Sequence, residues 1–481
     1  MLSGLLASIT AASPSTQDLA DLETSLEQHM TELIALYRHL KASLLKIVGI
    51  ERQTAGVRTA DAASASAAAG GIAPCASTTG GTTSVHGFAM GMTYLAVAIV
   101  MSGRAAEEDN AALLLDVVER HLLSPGSSVY DQLRGHKHAL RRFGQLLEGY
   151  VALLDVRDAG NYRRKLHYLH RAAVCFAPSP DYLTVAHALL VREASRSFCP
   201  APALAIMRQP VLEVSPADTG ADLLSFHSYY CEGGLLLARM RCWDDATVWL
   251  RSALSLVRRA APRAGGEGAA AAAPVLGGHG GGHVLVTATK ALILVSIIRH
   301  GDFSDPVDRK RVQQIIQQFR GSDTDVYLRL LAAAAKRDGK SWDTLEKHFA
   351  SLWQQDEMTA LVAEAGARLG RHIIRDTARV ASRVYLSTIV SDFRAHSIAI
   401  VEGDVSAEAE TFAVVQLLLA MQEEGEMLVS LERVTPKRAA AAAVQEEQEE
   451  EAEATGSVEQ TRLAVRFAMP PTRIPATLGS C

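Results

Sequence analysis

The sequence predicts an all-α fold: a solenoid of stacked helix pairs that closes in a small winged helix carrying a β-ribbon. Three observations carry this. Apolar residues recur at helical spacing through almost every ordered stretch, as in Leu19, Leu22, Leu26, Met30, Leu33 and Leu36, the mark of helices with one buried face. Several helix pairs repeat one arrangement of large and small residues. Alternating polarity, the mark of a strand, is nearly confined to Met427–Leu431 and to Leu463, Val465 and Phe467.

The clearest pair sets Tyr230 and the small residues Gly233 and Gly234 on one helix, then Trp243, Ala246, Leu250 and Ala253 on the next. This is the tetratricopeptide arrangement, in which small residues let antiparallel helices approach and an aromatic residue plugs the gap between them. A second copy places Tyr327, Leu330 and Ala334 before Trp342, Leu345 and Phe349, with a turn at Asp338 and Gly339. A looser third places Leu183 and Ala186 before Phe198 and Ala201, and another pair turns at Gly301 and Asp302. Such units cannot bury their seams alone, so they stack.

The last third changes character. A long helix from Thr359 to Ser382 leads into helix Ser387–His396, followed by the apolar helix Ala407–Glu424 and the two strands. Helix, helix, then ribbon is the order of a winged helix. The expected organisation is N-terminal helices over 1–58, a low-complexity linker over 59–85, the repeats over 86–354 with a mobile insertion at 261–282, the winged-helix domain over 355–467 with a disordered wing insertion at 434–460, and a tail over 468–481. The insertions are rich in Ala, Ser, Gly or Glu and lack the bulky side chains that offset ordering entropy.

With 481 residues, 48% of them hydrophobic, the chain can build a sizeable core. A net charge of -5 offers no extended positive field, which argues against sequence-independent phosphate neutralisation as the main activity. Six scattered cysteines, with no pair at metal-knuckle or redox spacing, suit a reducing setting. Acids as early as Asp18, Asp21 and Glu23 argue against secretory and transit peptides, so the expected location is cytoplasmic and nuclear. The apolar run Phe88–Met101 is shorter than the roughly 20 residues a membrane span needs, and reads as a core helix.

Candidate chemistry is sparse. His136 and His138 form a His-x-His, but no Ser or Asp follows at the spacing of a zinc hydrolase, and the expected place for both is the surface. His279 and His283 bracket three glycines on an expected loop, with no third ligand. Gly339, Lys340 and Ser341 resemble the end of a phosphate-binding loop, but Ala334 stands where its first glycine belongs. A winged helix that reads DNA needs cationic or amide side chains on its third helix. Here that helix and its end carry Glu408, Glu410, Glu423, Glu424 and Glu426. Basic clusters at Arg134–Arg142 and Arg163–Arg171 read as solvated helix faces, or as contacts for an acidic partner. No catalytic residue, cofactor or metal is expected, nor membrane or nucleic-acid binding.

A repeat array feeding a winged helix resembles the PCI family of the proteasome lid, the signalosome and a translation-initiation complex. The segments Leu183–Met207, Tyr229–Gly234, Lys290–Gly301 and Met421–Leu431 are similar to the subunit-three family of the COP-nine signalosome. The resemblance implies a non-catalytic scaffold in an isopeptidase that removes Nedd8 from cullin-RING ubiquitin ligases, whose zinc belongs to another subunit. It implies other signalosome subunits as partners, reached through PCI to PCI contacts. The interface residues expected on that basis are Phe412, Val415, Leu418 and Met421 on the apolar helix, and Met427, Val429, Leu431, Leu463, Val465 and Phe467 on the ribbon. The alternatives are a PCI subunit of the lid or of the initiation complex and, from another class, a nucleic-acid-binding winged-helix adaptor. The chain departs from the pattern after Phe467, where a short Pro-containing tail replaces the expected C-terminal bundle helix.

Overall fold

The computed structural model describes residues 16–35, 87–103, 105–124, 129–158, 160–255, 279–319, 323–398, 406–434 and 462–468. The 59–85 linker, the 261–282 insertion before His279, the wing insertion beyond Val434 and the tail beyond Ala468 lie outside them. Helices dominate, and the strands form one three-stranded sheet. The chain divides into two compact units, one formed mainly by residues 1–236 and the other mainly by 237–481, with the division inside helix Leu223–Arg239.

In the first unit some helices pack on their neighbours in the chain, as Tyr162–Cys175 on Val185–Arg196, the local pattern of stacked repeats, and others pack across longer stretches, as Pro216–Thr219 on Lys137–Arg157. Helix Gly87–Met101 is the hub: Met90, Met92 and Tyr94 to Ile99 are all at most 1% exposed, so the apolar run is a core helix. It packs against helix Lys137–Arg157 and the N-terminal helices Thr16–Gln28 and Met30–Ala35. Gly149 allows the closest approach, because a methyl group there would overlap Val100.

Helix Lys137–Arg157 has no side-chain cap from its own flank. Glu23, 115 residues earlier in the sequence, takes that place. Its Oε1 accepts from the backbone N–H groups of His138 and Ala139, both at 2.9 Å, and Oε2 lies 3.2 Å from His136 Nδ1. A carboxylate on free amides at a helix start answers both the unpaired donors and the dipole. Its neighbour Glu27 binds Arg142 at 2.7 Å and accepts from the Tyr94 hydroxyl at 3.0 Å. His136 is therefore buried, against the surface position expected, because it flanks this cap; His138 is exposed.

Phe198 also departs from expectation. It is 91% exposed with φ +53°, in the turn between helices Val185–Arg196 and Ala201–Met207, and plugs no gap. The third repeat copy thus holds only through Leu183 and Ala186, which are buried.

In the second unit the pair at Tyr327 matches its reading. Helices Thr324–Lys336 and Gly339–His348 bury Tyr327, Leu330, Ala334 and Trp342, and Asp338 caps the second by accepting from Ser341 N at 3.0 Å. Arg337, at φ +59°, makes the turn. Gly339 is glycine because a Cβ there would sit 2.5 Å from the Ser397 carbonyl oxygen.

Helix His279–His300 begins inside the expected loop, so His279 and His283 lie in helix. Among the described residues, its Gly282–His300 stretch is the one long and apolar enough to cross a membrane, rather than Phe88–Met101. Here it is a core element: Leu285, Ala288, Ala291 to Val295, Ile297 and Ile298 are at most 1% exposed. It packs against helices Trp243–Ala253, Pro306–Gln318, Thr324–Lys336 and Thr359–Val380, and so joins repeat helices and the C-terminal module in one body.

Two polar links hold this helix in register. Lys290 Nζ reaches Asp356 Oδ2 at 2.7 Å, the Tyr327 hydroxyl donates to the same oxygen at 2.7 Å, and Lys290 lies 5.3 Å from the Tyr327 ring centre. Burial, helped by Asp356, pushes the Tyr327 hydroxyl far above its ordinary pKa. His372, 2% exposed, meets the Ile297 carbonyl at 2.8 Å. Burial first, then Arg337 and Arg375, push its pKa down to about 3, so the ring stays neutral and donates.

Two outcomes follow. Glu23→Ala should cost about 1–2 kcal/mol, as a lost N-cap does. Although burial raises the Glu23 pKa, hydrogen bonds from His136 and the Ala139 and His138 amides hold it below its ordinary 4.5. A carboxyl lowered by folding stabilises above its unfolded value and loses that contribution as pH falls through the folded one. Urea titrations should therefore separate wild type from variant most widely at pH 7, with the gap narrowing as pH falls below 4.5. Asp356→Ala should cost roughly 3 kcal/mol by stranding the buried Lys290, with Asp356→Asn milder, read as a lowered melting temperature.

Candidate docking surface

The C-terminal module is built from helices Thr359–Val380, Leu386–Ala395 and Ala407–Glu423 and a sheet of order β1-β3-β2. β1 is Arg383–Tyr385, β2 Leu428–Val434 and β3 Arg462–Ala468. The expected ribbon is thus a three-stranded antiparallel sheet, with Val384 opposite Val465, and Val465 opposite Leu431. The three residues of β1 are too few to alternate visibly in sequence, and only pairing with β3 makes them a strand.

The core of the module includes Ile373, Ile374, Leu386, Ile389, Phe393, Val414, Leu418, Met421, Met427, Val465 and Phe467. Helix Thr359–Val380 comes close to its neighbours at Gly370, where a methyl group would lie 2.8 Å from the Phe393 ring. Helix Ala407–Glu423 starts at Ser406, whose Oγ accepts from Ala409 N at 3.4 Å, with Glu408 and Glu410 favourably placed in the first turn. It ends at Gly425, φ +72°, where the Glu426 amide returns to the Met421 carbonyl at 2.8 Å. Only glycine adopts this left-handed C-terminal cap without strain, and the chain then reverses into β2.

Arginines from helix Thr359–Val380 clamp that reversal. Arg368 binds Glu426; Arg371 binds Glu424 at 2.8 Å and Glu426 at 2.9 Å; Arg375 lies 2.9 Å from Glu426. The hydrogen bond from Arg371 outweighs burial and holds the Glu424 carboxyl below its ordinary range. Glu410 in turn binds Arg394 at 2.8 Å. Three of the five carboxylates read as repelling phosphate are thus neutralised within the module, and Glu408 and Glu423 are exposed with no cation bound to them among the described residues. A cleft of 410 Å³ near the clamp is lined by Arg299, His300, Arg368, His372, Arg375 and Glu426, among others. Its charges largely answer one another, as where Arg299 binds Asp244.

The ten residues expected at an interface fall into three groups. Leu418, Met421, Met427, Val465 and Phe467 are buried in the module's own core, and Val415 and Val429 are half-buried against it. Phe412 is 63% exposed, Leu431 41% and Leu463 38%. Sequence reasoning missed Leu419, Leu428 and Tyr385, which are also exposed. Leu419 was legible in part: it lies seven residues from Phe412, on the helix side opposite Val414, Leu418 and Met421. Helix Ala407–Glu423 therefore carries two apolar faces, one internal and one open.

The sheet adds an open edge. β3 is central, so β2 is an edge, and no strand among the described residues pairs with its far side. Such an edge offers unpaired N–H and C=O groups to another strand. On the face away from the core, Glu432 meets Arg383 at 2.8 Å and Arg466 at 3.6 Å, a cross-strand contact that spans all three strands.

Residues 84–262 match the family of COP9 signalosome complex subunit 3, N-terminal helical repeats. The matched segment covers most of the first unit's described helices. No curated protein matches the chain.

The two groups of residues should separate by mutation. Leu418→Ala should destabilise by roughly 2–5 kcal/mol as a core cavity. Phe412→Ala should leave thermal unfolding within about 0.5 kcal/mol of wild type, as exposed positions do.

Proposed function

We propose, taking the signalosome subunit 3 repeat family over residues 84–262 as the premise, that the chain is a non-catalytic scaffold subunit of a COP9 signalosome. Its C-terminal module acts as a PCI-type winged helix. It joins other subunits and so supports removal of Nedd8 from cullin-RING ubiquitin ligases, in cytoplasm and nucleus. The observation that carries this reading is the family match. The module supports it physically: an apolar helix face with Phe412 and Leu419 lies in the same body as the open β2 edge and the exposed Leu431 and Leu463. Edge-strand addition supplies main-chain hydrogen bonds, and exposed apolar anchors beside it supply specificity.

Affinity purification of the tagged full chain from its native extract, followed by mass spectrometry, tests the assignment. Signalosome subunits should co-purify. Recovery of proteasome-lid or initiation-complex subunits in their place overturns it. The paired substitution Phe412→Glu with Leu431→Glu should remove at least one neighbouring subunit from the purified set, while circular dichroism and melting temperature stay near wild type.

A further inference from the structure

In each of the two basic clusters of the sequence the fold pairs some cations with acids and leaves others in solvent. In the first, Arg142 is bound to Glu27 at 2.7 Å, and Arg134 lies 3.6 Å from Asp218. Both have acidic partners within the unit, while Lys137 and Arg141 of the same cluster are exposed on a helix that carries its own acids, Glu148 and Asp155. The second lies on helix Tyr162–Cys175, which contains Arg163, Arg164, Lys165, His167, His170 and Arg171 and no acid. Acids from other elements reach only its inner side. Arg164 binds Glu119 at 2.7 Å, and Lys165 binds Asp155 and, at 3.0 Å, Glu193.

On the outer side, Arg163 and His167 are exposed and Arg171 is half-exposed. Positions 163, 167, 171 and 174 fall on one stripe of a helix, opposite the buried Leu166, Leu169, Ala172 and Ala173. No ion pair among the described residues engages Arg163 or Arg171. Their Cα atoms are separated by roughly 12 Å along the axis at 1.5 Å per residue. Val174, 56% exposed, ends the stripe with an apolar contact.

We infer that this stripe is a docking face for an acidic segment of a partner protein, with Arg163 and Arg171 as its two anchors. The charge pattern selects that occupant. A helix with no acid of its own, whose outer arginines are not ion-paired, complements carboxylates on a partner, and guanidinium binds carboxylate in bidentate geometry. A nucleic acid would need more cations along a continuous track than two arginines and a histidine provide, in a chain of net charge -5. The apolar end at Val174 also suits a peptide better than a phosphate backbone. This face lies in the first unit and does not depend on the proposed role of the C-terminal module.

The test uses the full chain and fluorescence anisotropy with a labelled 16-residue peptide carrying Glu at every fourth position. Its Gln counterpart and a 20-base-pair DNA duplex serve as competitors. The Glu peptide should bind, and binding should weaken several-fold between 50 and 200 mM salt. Arg163→Glu with Arg171→Glu should reduce affinity at least tenfold without altering circular dichroism. Lys340→Glu with Lys347→Glu, the same charge change on another exposed helix face, should leave it unchanged. Equal affinity for the Gln peptide, tighter binding of the duplex, no binding of the Glu peptide, or equal loss in both double variants would overturn the inference.

Discussion

The second unit depends on burying one helix on nearly all sides. Residues Leu285 to Ile298 of helix His279–His300 contribute an almost unbroken set of side chains removed from water, each worth about 1.5–3 kcal/mol when large and apolar. Such a helix has no solvent face to orient it, so apolar packing alone leaves its rotation and sliding weakly specified. The polar links supply what the apolar surface cannot. Lys290 binds Asp356, an acceptor shared with Tyr327, and the neutral His372 donates to the Ile297 carbonyl, which also accepts from the Gly301 amide. Moving the helix by a residue would strand a buried cation and a buried imidazole together, a penalty larger than the gain from any single apolar contact.

The same logic recurs at the ends of elements, where backbone groups need partners. In the first unit Glu23 caps a helix 115 residues away, which makes the N-terminal helix a structural part of that unit rather than an appendage. In the C-terminal module Arg368, Arg371 and Arg375 hold the turn at Gly425 through Glu424 and Glu426. Because that turn directs the chain from helix Ala407–Glu423 into β2, the arginines also set how the open apolar face and the open strand edge are presented.

Much of the fold was legible in the chain. The helical periodicities, the pair at Tyr327 and Trp342, the turns at Gly301 and Gly425, and the order of elements in the C-terminal module follow from local spacing and from backbone positions that favour glycine. The candidate surface was legible less evenly. Phe412, Leu431 and Leu463 emerge on the outside, whereas Leu418, Met421, Met427, Val465 and Phe467, of the same hydrophobic character, line the core. Composition cannot distinguish an apolar residue that packs inside its own module from one left for a partner. Phe198 shows the same limit in reverse, an aromatic residue at repeat-like spacing that the turn places in solvent.

By itself the sequence determined the all-α class, the helix pairs and the late pair of alternating strands, because these depend on periodicity within a few turns of chain. Tertiary structure alone decided that Arg383–Tyr385 is a strand, that Glu23 rather than a neighbour caps helix Lys137–Arg157, and that the carboxylates at the end of the third helix are answered by arginines. It also separated Arg164 and Lys165, which have acidic partners, from Arg163 and Arg171. Each of these is a pairing between residues distant in sequence or on opposite sides of one helix, and the energy of such a pair exists only once folding brings the two groups within reach.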